Sequence, residues 1–458
     1  MGKNTFVLTV LAAMLTLSFS FSPSNVSADS KSGHWVGAWS ASQTEAWTTV
    51  DWDGGFSQNG FENETIRMIV NPTASGKEVR VRLSNEFGEQ PLTFGKVTVA
   101  DTAEDASVVA DTVEQLTFNQ SESVTIPAGE AIVSDSVPFD VADGANLTIS
   151  LYIPGNSGPA TWHNTANQQS YFADGDAALN IDGDGFENSS DSWFYLSGVD
   201  VLTTNNKQTR TVVALGDSIT DGYLSTLNAN HRYTDFLDDR LDEEFKNQTF
   251  SILNQGISGN RILTDSPIFG EKALDRLERD VFSQTNVTDI ILFEGINDIG
   301  HSDPYHVYDA DLIIEGMKQI AEEAHERGIN IYIGTLTPMN AFTGDPNYYT
   351  EEGETTRQEV NEWIRSQNVF DGVFDFDHVL RDPENPDKIL PAYDSGDNLH
   401  PNDAGLKAMA DSIDLSVFAQ KEGEELPDTA TNTLNYLLAG LMLMLIGAGL
   451  FLSNRRKA

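Results

Sequence analysis

The stretch Thr211-Val212-Val213-Ala214-Leu215-Gly216-Asp217-Ser218-Ile219-Thr220 gives the clearest structural signal in the chain. Five residues of high β-propensity or apolar character run into a Gly-Asp-Ser turn, and a helical pattern follows. A short apolar strand that ends in such a turn reads as the opening strand of a parallel α/β sheet. Downstream, similar runs recur at Ile252–Asn254, Asp289–Phe293, Ile329–Gly334 and Val373–Phe376. They alternate with helical stretches such as Phe269–Phe282 and Leu312–Arg327. Nearly continuous apolar strands between helices predict a parallel sheet covered on both faces.

Upstream the texture differs. Val79, Val81 and Leu83 alternate with Glu78, Arg80 and Arg82, and Leu147, Ile149, Leu151 and Ile153 alternate with Thr148, Ser150 and Tyr152. Turn residues punctuate these runs, so the spacing predicts a β-sandwich or jelly-roll-like module ahead of the α/β half. The Gly/Asp/Asn-rich stretch Asp174–Asp191 reads as a loop. Its Asp182-Gly183-Asp184-Gly185 does not continue with calcium-loop spacing, because Phe186 and Glu187 occupy the third-ligand and glycine positions. Six of the seven tryptophans precede the α/β half, where core packing competes with a sugar-stacking role and the first is favoured for any one ring. The segment Thr161-Trp162-His163 is a further candidate to reach the cleft.

In an open parallel sheet, reactive groups gather beyond the carboxyl ends of the strands. Those ends carry Ser218, then Gly256-Ile257-Ser258-Gly259-Asn260, then Glu294-Gly295-Ile296-Asn297-Asp298. A late loop carries Asp397-Asn398-Leu399-His400. A serine hydroxyl needs a neighbouring base to become a nucleophile, and His400 is the candidate. Asp397, three residues earlier, is placed to hold its tautomer, with Asp394 the weaker alternative. The backbone N–H groups of Ser218 and Gly259 and the amide of Asn297 are candidate oxyanion donors. Each element alone is weak, but four in order at successive strand ends reinforce one another.

These four blocks resemble the SGNH (GDSL) hydrolases, with Ser218, Gly259, Asn297 and His400 at the matching positions and Asp397 as the acid. Position 220 is Thr, which separates the motif from the Gly-x-Ser-x-Gly elbow of α/β-hydrolases. The segments Trp35–Trp39, Thr65–Ile69, Val81–Asn85, Glu294–Gly300 and Leu390–Gly396 are similar to the branch related to xylan esterases. The resemblance implies a flavodoxin-like three-layer α/β/α hydrolase domain behind the β-rich module. It implies a serine esterase that needs no metal or organic cofactor and acts on acylated carbohydrate or small esters. A lipase or short-chain acylhydrolase with the same site, and a surface adhesin with a non-catalytic hydrolase fold, are the alternatives.

The ends read as addresses. Lys3, the apolar run Phe6–Phe21 and Val26-Ser27-Ala28 predict a secretory signal cut after Ala28. Leu426-Pro427-Asp428-Thr429-Ala430 precedes an apolar run, Leu434–Leu452, and a basic tail. Nineteen largely apolar residues suffice to span a bilayer. The order resembles the sorting signal of Gram-positive surface proteins, which implies sortase cleavage between Thr429 and Ala430 and attachment to peptidoglycan; a retained membrane anchor is the alternative. Ala430 replaces the usual Gly. The expected organisation is a signal peptide at 1–28, a β-rich module at 33–205, the hydrolase domain at 206–420 and the sorting signal at 421–458.

Composition bounds the rest. The chain has 458 residues and a formal net charge of −43, which argues against nucleic-acid partners. With 39% hydrophobic residues it can build real cores. It has no cysteine, so disulfides, thiolate metal sites and cysteine nucleophiles are excluded.

Overall fold

The computed structural model describes residues 33–419, except 51, 204–208 and 303–304. The signal peptide, the Leu426–Ala430 motif and the apolar span Leu434–Leu452 lie outside the described residues. Among the described residues no helix is long and apolar enough to cross a membrane.

The β-rich half is built on two large antiparallel sheets, with two short two-stranded ribbons beside them among the described residues. In one, His34–Ser40, Leu196–Thr203 and Gly76–Asn85 lie side by side, and the far edge of Gly76–Asn85 is shared by Glu130–Val133 and Val137–Val141. The other has six strands, in the order Phe186–Ser190, Ser170–Asp174, Glu64–Val70, Leu147–Ile153, Lys96–Asp101 and Glu114–Gln115. The alternating residues do what the period-two pattern predicts. Val79, Val81 and Leu83 from one sheet meet Leu147, Ile149, Leu151 and Ile153 from the other in a single core.

The second sheet departs from the expected half-buried pattern, since Thr148 and Ser150 on its outer face are buried as well. The stretch read as a loop explains this. Its first part folds back over the outer face, where the buried Arg67 donates to the carbonyls of Ala106 and Asn180 (2.8 Å to Asn180) and to the Ser150 hydroxyl at 3.0 Å. Its end, Phe186–Ser190, joins the sheet as an edge strand. Burying a guanidinium requires such saturation of its donors.

The α/β half is built on a five-stranded parallel sheet in the order Thr249–Gly256, Thr209–Gly216, Val287–Phe293, Asn330–Gly334 and Gly372–Phe374. In chain order this is 2-1-3-4-5, the flavodoxin-like arrangement. Val213, Leu215, Ile290, Leu292 and Ile331 face one side, where Ala310–Glu326 and Glu351–Ser366 bury Ile313, Met317, Ile320, Val360 and Ile364. Val212, Ala214, Ile291, Phe293 and Tyr332 face the other, against Tyr233–Glu244 and Asp403–Ser412. Both faces are therefore covered, as continuous apolar strands require.

The expected helix Phe269–Phe282 begins only at Ala273 and passes into a π-helical turn at Leu277–Phe282. Its first residues are claimed elsewhere, because the Asn260 amide donates to the carbonyls of Phe269 and Glu271, both at 2.8 Å.

The two halves meet along the edge strand Thr249–Gly256. An open strand edge exposes unpaired backbone groups, and here the β-rich half covers it. Thr73 Oγ1 accepts from Ile252 N at 2.9 Å, and the Ser251 hydroxyl donates to the Gly37 carbonyl. Gly37 itself packs on Leu253, where a Cβ would come within 2.8 Å of Leu253 Cδ1.

Candidate active site

The carboxyl ends of the first three parallel strands converge on a cleft. Strand Thr209–Gly216 delivers Asp217, which caps the one-turn helix Ser218–Asp221 by accepting from Ile219 N at 3.0 Å. This cap fixes the turn on which Ser218 sits. Gly216 must be glycine, since a Cβ there would lie 2.1 Å from Thr220 Oγ1 and 2.5 Å from the Phe293 carbonyl.

Ser218 and the late loop come together. His400 Nε2 lies 2.8 Å from Ser218 Oγ, and His400 Nδ1 lies 2.6 Å from Asp397 Oδ2. The other carboxylate oxygen of Asp397 accepts from the backbone of Leu399 at 2.9 Å and of His400 at 2.8 Å. Burial would raise the Asp397 pKa, but the His400 side chain and these amides outweigh it and hold the group at about 2. A carboxylate with a depressed pKa stabilises the fold above the ordinary Asp range and loses that contribution only as pH falls through about 2. The ring of His400 is braced edge-on by Tyr223, with centroids 4.8 Å apart, and by Phe342 at 5.9 Å. Asp394, the alternative acid, accepts from the backbone of Gly396 and Asn398 and so shapes the turn.

Gly259 and Asn297 line the same cleft as Ser218 and His400. Gly259 has φ +79°, and a Cβ would sit 2.3 Å from the Phe269 ring, so no other residue fits without a shift. The Asn297 amide is oriented at both ends. Its oxygen accepts from the Tyr348 hydroxyl at 2.7 Å, and its nitrogen donates to the Asn260 carbonyl at 3.1 Å. One N–H of that nitrogen remains for a ligand.

Several supporting residues escape a reading of motifs. Arg276 is fully buried beneath the strand ends. Its guanidinium donates to the carbonyls of Gly216 (3.1 Å) and Gln255 (2.8 Å), to Asn260 Oδ1 (2.9 Å), and to Ser42 of the β-rich half (3.1 Å). It also faces Glu294 at 3.6 Å. One cation thus ties the ends of the first two parallel strands to the loop after them. Around it, burial pushes Asp217 up to about 7 and Asp298 up to about 6, and Glu294 rises well above its ordinary value.

The segment Thr161-Trp162-His163 reaches the back of the Ser218 turn. His163 Nε2 lies 2.9 Å from Asp221 Oδ1, and the other Asp221 oxygen accepts from the Ser258 hydroxyl at 2.9 Å. Asp221 thereby links the Ser218 turn, the loop carrying Ser258 and Gly259, and the β-rich half. Its place three residues after the serine is the one signal that could have marked it. Tyr348 and Arg276 lie in stretches with no motif, so nothing local announces them.

The cleft has a volume of about 320 Å³. The α/β half contributes the groups above together with Phe269, His301 and Leu399, and the β-rich half contributes Trp47, Trp52, Asn164 and Thr165. Burial pushes the His301 imidazole down to about 4, so it is neutral above that pH.

Comparison with known proteins identifies the region. Residues 214–408 match the GDSL-like Lipase/Acylhydrolase family, and residues 419–458 match the LPXTG cell wall anchor motif. No curated protein matches the chain. Solved structures similar to part of it include a GDSL-like lipase from Bacteroides thetaiotaomicron, at 20% identity over 46% of this chain and 88% of that one, with a TM-score of 0.33. A carbohydrate acetylesterase from Sinorhizobium meliloti is 18% identical over 44% of this chain and 94% of that one, with a TM-score of 0.34. A mutant acetyl-xylooligosaccharide esterase from Geobacillus is 20% identical over 48% of this chain and 99% of that one, with a TM-score of 0.33. The chain carries a GDSL-like lipase/acylhydrolase domain and a C-terminal Gram-positive anchor, and is a secreted, sortase-anchored cell wall protein.

Proposed function

We propose that this protein is a cell-wall-anchored serine esterase that removes short acyl groups, acetyl foremost, from polysaccharide. In this reading residues 206–420 form a three-layer α/β/α hydrolase domain behind a β-sandwich module of residues 33–205. A signal peptide is cut after Ala28, and sortase joins the chain to peptidoglycan after cleaving Thr429–Ala430. The observation that carries the catalytic reading is the continuous relay Ser218–His400–Asp397, 2.8 Å and 2.6 Å long in its two links.

The chemistry follows from the tautomer. Asp397 accepts a hydrogen bond from the Nδ1–H of His400, which leaves the Nε2 lone pair facing the serine hydroxyl. Nε2 takes that proton as Ser218 Oγ attacks the ester carbonyl. The tetrahedral oxyanion is held by the backbone N–H groups of Ser218 and Gly259 and by Asn297 Nδ2. His400 then gives its proton to the leaving alcohol, and the acyl-enzyme remains. Water, deprotonated by His400, attacks the acyl carbonyl; the acid departs and Ser218 regains its proton. Oriented by Tyr348, Asn297 needs no reorganisation as charge develops.

The test is acetate release from acetylated xylan and from p-nitrophenyl acetate by the wild-type protein and Ser218→Ala. Serine-dependent release from both is expected, with Ser218→Ala at background and normally folded by circular dichroism. Substantial hydrolysis by Ser218→Ala would move the nucleophile elsewhere. Release from the aryl ester alone would keep the mechanism and remove the polysaccharide from it.

A further inference from the structure

We infer that the β-rich half supplies the sugar-recognising wall of the catalytic cleft, with the Trp52 indole as a stacking platform for the ring of a neutral acylated carbohydrate. This rests on the esterase reading and names the part of the chain that selects the alcohol. Trp52 is 68% exposed, whereas Trp39, Trp47, Trp162 and Trp193 are buried. It sits in the same cleft as Ser218 and His400. An indole left in water beside a reactive serine is unused apolar surface unless a ligand covers it.

Its support is ordered. Trp162 is fully buried and packs edge-on against Trp47, with centroids 4.8 Å apart at 90°. Trp47 is pinned across the halves, its Nε1 donating to the Ile268 carbonyl at 2.8 Å, and it meets Trp52 edge-on at 5.5 Å and 85°. The three indoles form a ladder from the core of the β-rich half to the mouth of the cleft. Holding the platform before the ligand arrives lowers the ordering cost of binding.

The surrounding chemistry selects the ligand class. Asn164 and Thr165 add a carboxamide and a hydroxyl beside the aromatic surface, so the wall has an apolar face and a polar rim. A pyranose ring has the same division, with C–H groups on its face and hydroxyls at its edge. Among the described residues lining the cleft there is no Lys or Arg, and Asp345 is present. With a net charge of −43 on the chain, this setting repels phosphorylated or carboxylated substrates and leaves neutral sugar esters.

The experiment compares kcat/KM for acetylated xylotriose with kcat/KM for ethyl acetate, which has no ring, in wild type, Trp52→Ala and Trp52→Phe. In Trp52→Ala the ratio of the two should fall about tenfold, chiefly through KM for the xylotriose ester, and Trp52→Phe should restore most of it. A Ser218→Ala protein titrated with acetylated xylotriose should show a tryptophan fluorescence change that disappears when Trp52→Ala is added. An unchanged ratio, or equal loss on both esters, would overturn the assignment while leaving the esterase reading intact. A wild type inactive on both esters would overturn the esterase reading and the assignment with it.

Discussion

Two aspartate–histidine pairs flank the helix that carries Ser218, and they differ in what the nitrogen away from the carboxylate faces. Both imidazoles are buried, His400 at 4% exposure and His163 at 3%. The Nδ1 of His400 meets Asp397, and its Nε2 meets a hydroxyl that can lose a proton. The Nδ1 of His163 meets the Ser42 carbonyl at 2.8 Å, an acceptor only, and its Nε2 meets Asp221. Both nitrogens of His163 face acceptors within the protein, so neither is directed at a substrate. An Asp–His pair becomes a base through what its second nitrogen faces. The same two residue types otherwise make a clamp, here between the β-rich half and the nucleophile turn.

Breaking the first pair should have the largest effect. Asp397→Asn would present an amide N–H to His400 and favour the tautomer with its proton on Nε2. The expected loss is about 10⁴-fold in kcat, measured on p-nitrophenyl acetate with folding checked by circular dichroism. A tenfold loss or less would mean that Asp397 merely shapes the loop. Next comes Asn297, the proposed oxyanion donor. Asn297→Ala should lower kcat by about 10²–10³-fold. An effect confined to KM would make Asn297 a ground-state contact.

The second pair should act on stability before turnover. In His163→Gln one partner of a buried pair is removed, which costs about 3–5 kcal/mol in unfolding free energy, while kcat falls less than in Asn297→Ala. Urea unfolding followed by tryptophan fluorescence measures it. Burial opposes charge on His163, but Asp221 and the Ser42 carbonyl outweigh it and raise the pKa above the ordinary 6.5. The pair's stabilisation is therefore fullest below pH 6.5 and is lost as pH climbs through the raised value. The difference between wild type and His163→Gln should shrink towards alkaline pH. A difference that grows with pH would contradict the assignment of the clamp.

The same contrast separates what sequence could reveal from what it could not. Ser218, Gly259, Asn297 and the Asp397–His400 loop stand at strand ends or turns, where local pattern and chain order suffice. The inward residues Val79, Val81 and Leu83 announce themselves by alternation. The clamp does not, because Ser42, His163, Asp221 and Ser258 come from four segments whose meeting depends on how the two halves dock. Arg276 is likewise invisible, since a basic residue in a helical pattern normally reads as surface, and only the fold gathers the carbonyls that saturate it. For Trp52 the composition offered an aromatic, and only the fold shows that Trp47 and Trp52, of the six upstream tryptophans, line the cleft with Ser218 and that Trp52 is the exposed one of the two.

The central claim is that His400, and no other imidazole, activates Ser218. Labelling with a fluorophosphonate, followed by peptide mass spectrometry, measures this directly in wild type, His400→Gln and His163→Gln. One adduct is expected, on Ser218, formed rapidly in wild type and in folded His163→Gln and suppressed in His400→Gln. No adduct in wild type, an adduct on another serine, or undiminished labelling of His400→Gln would contradict it.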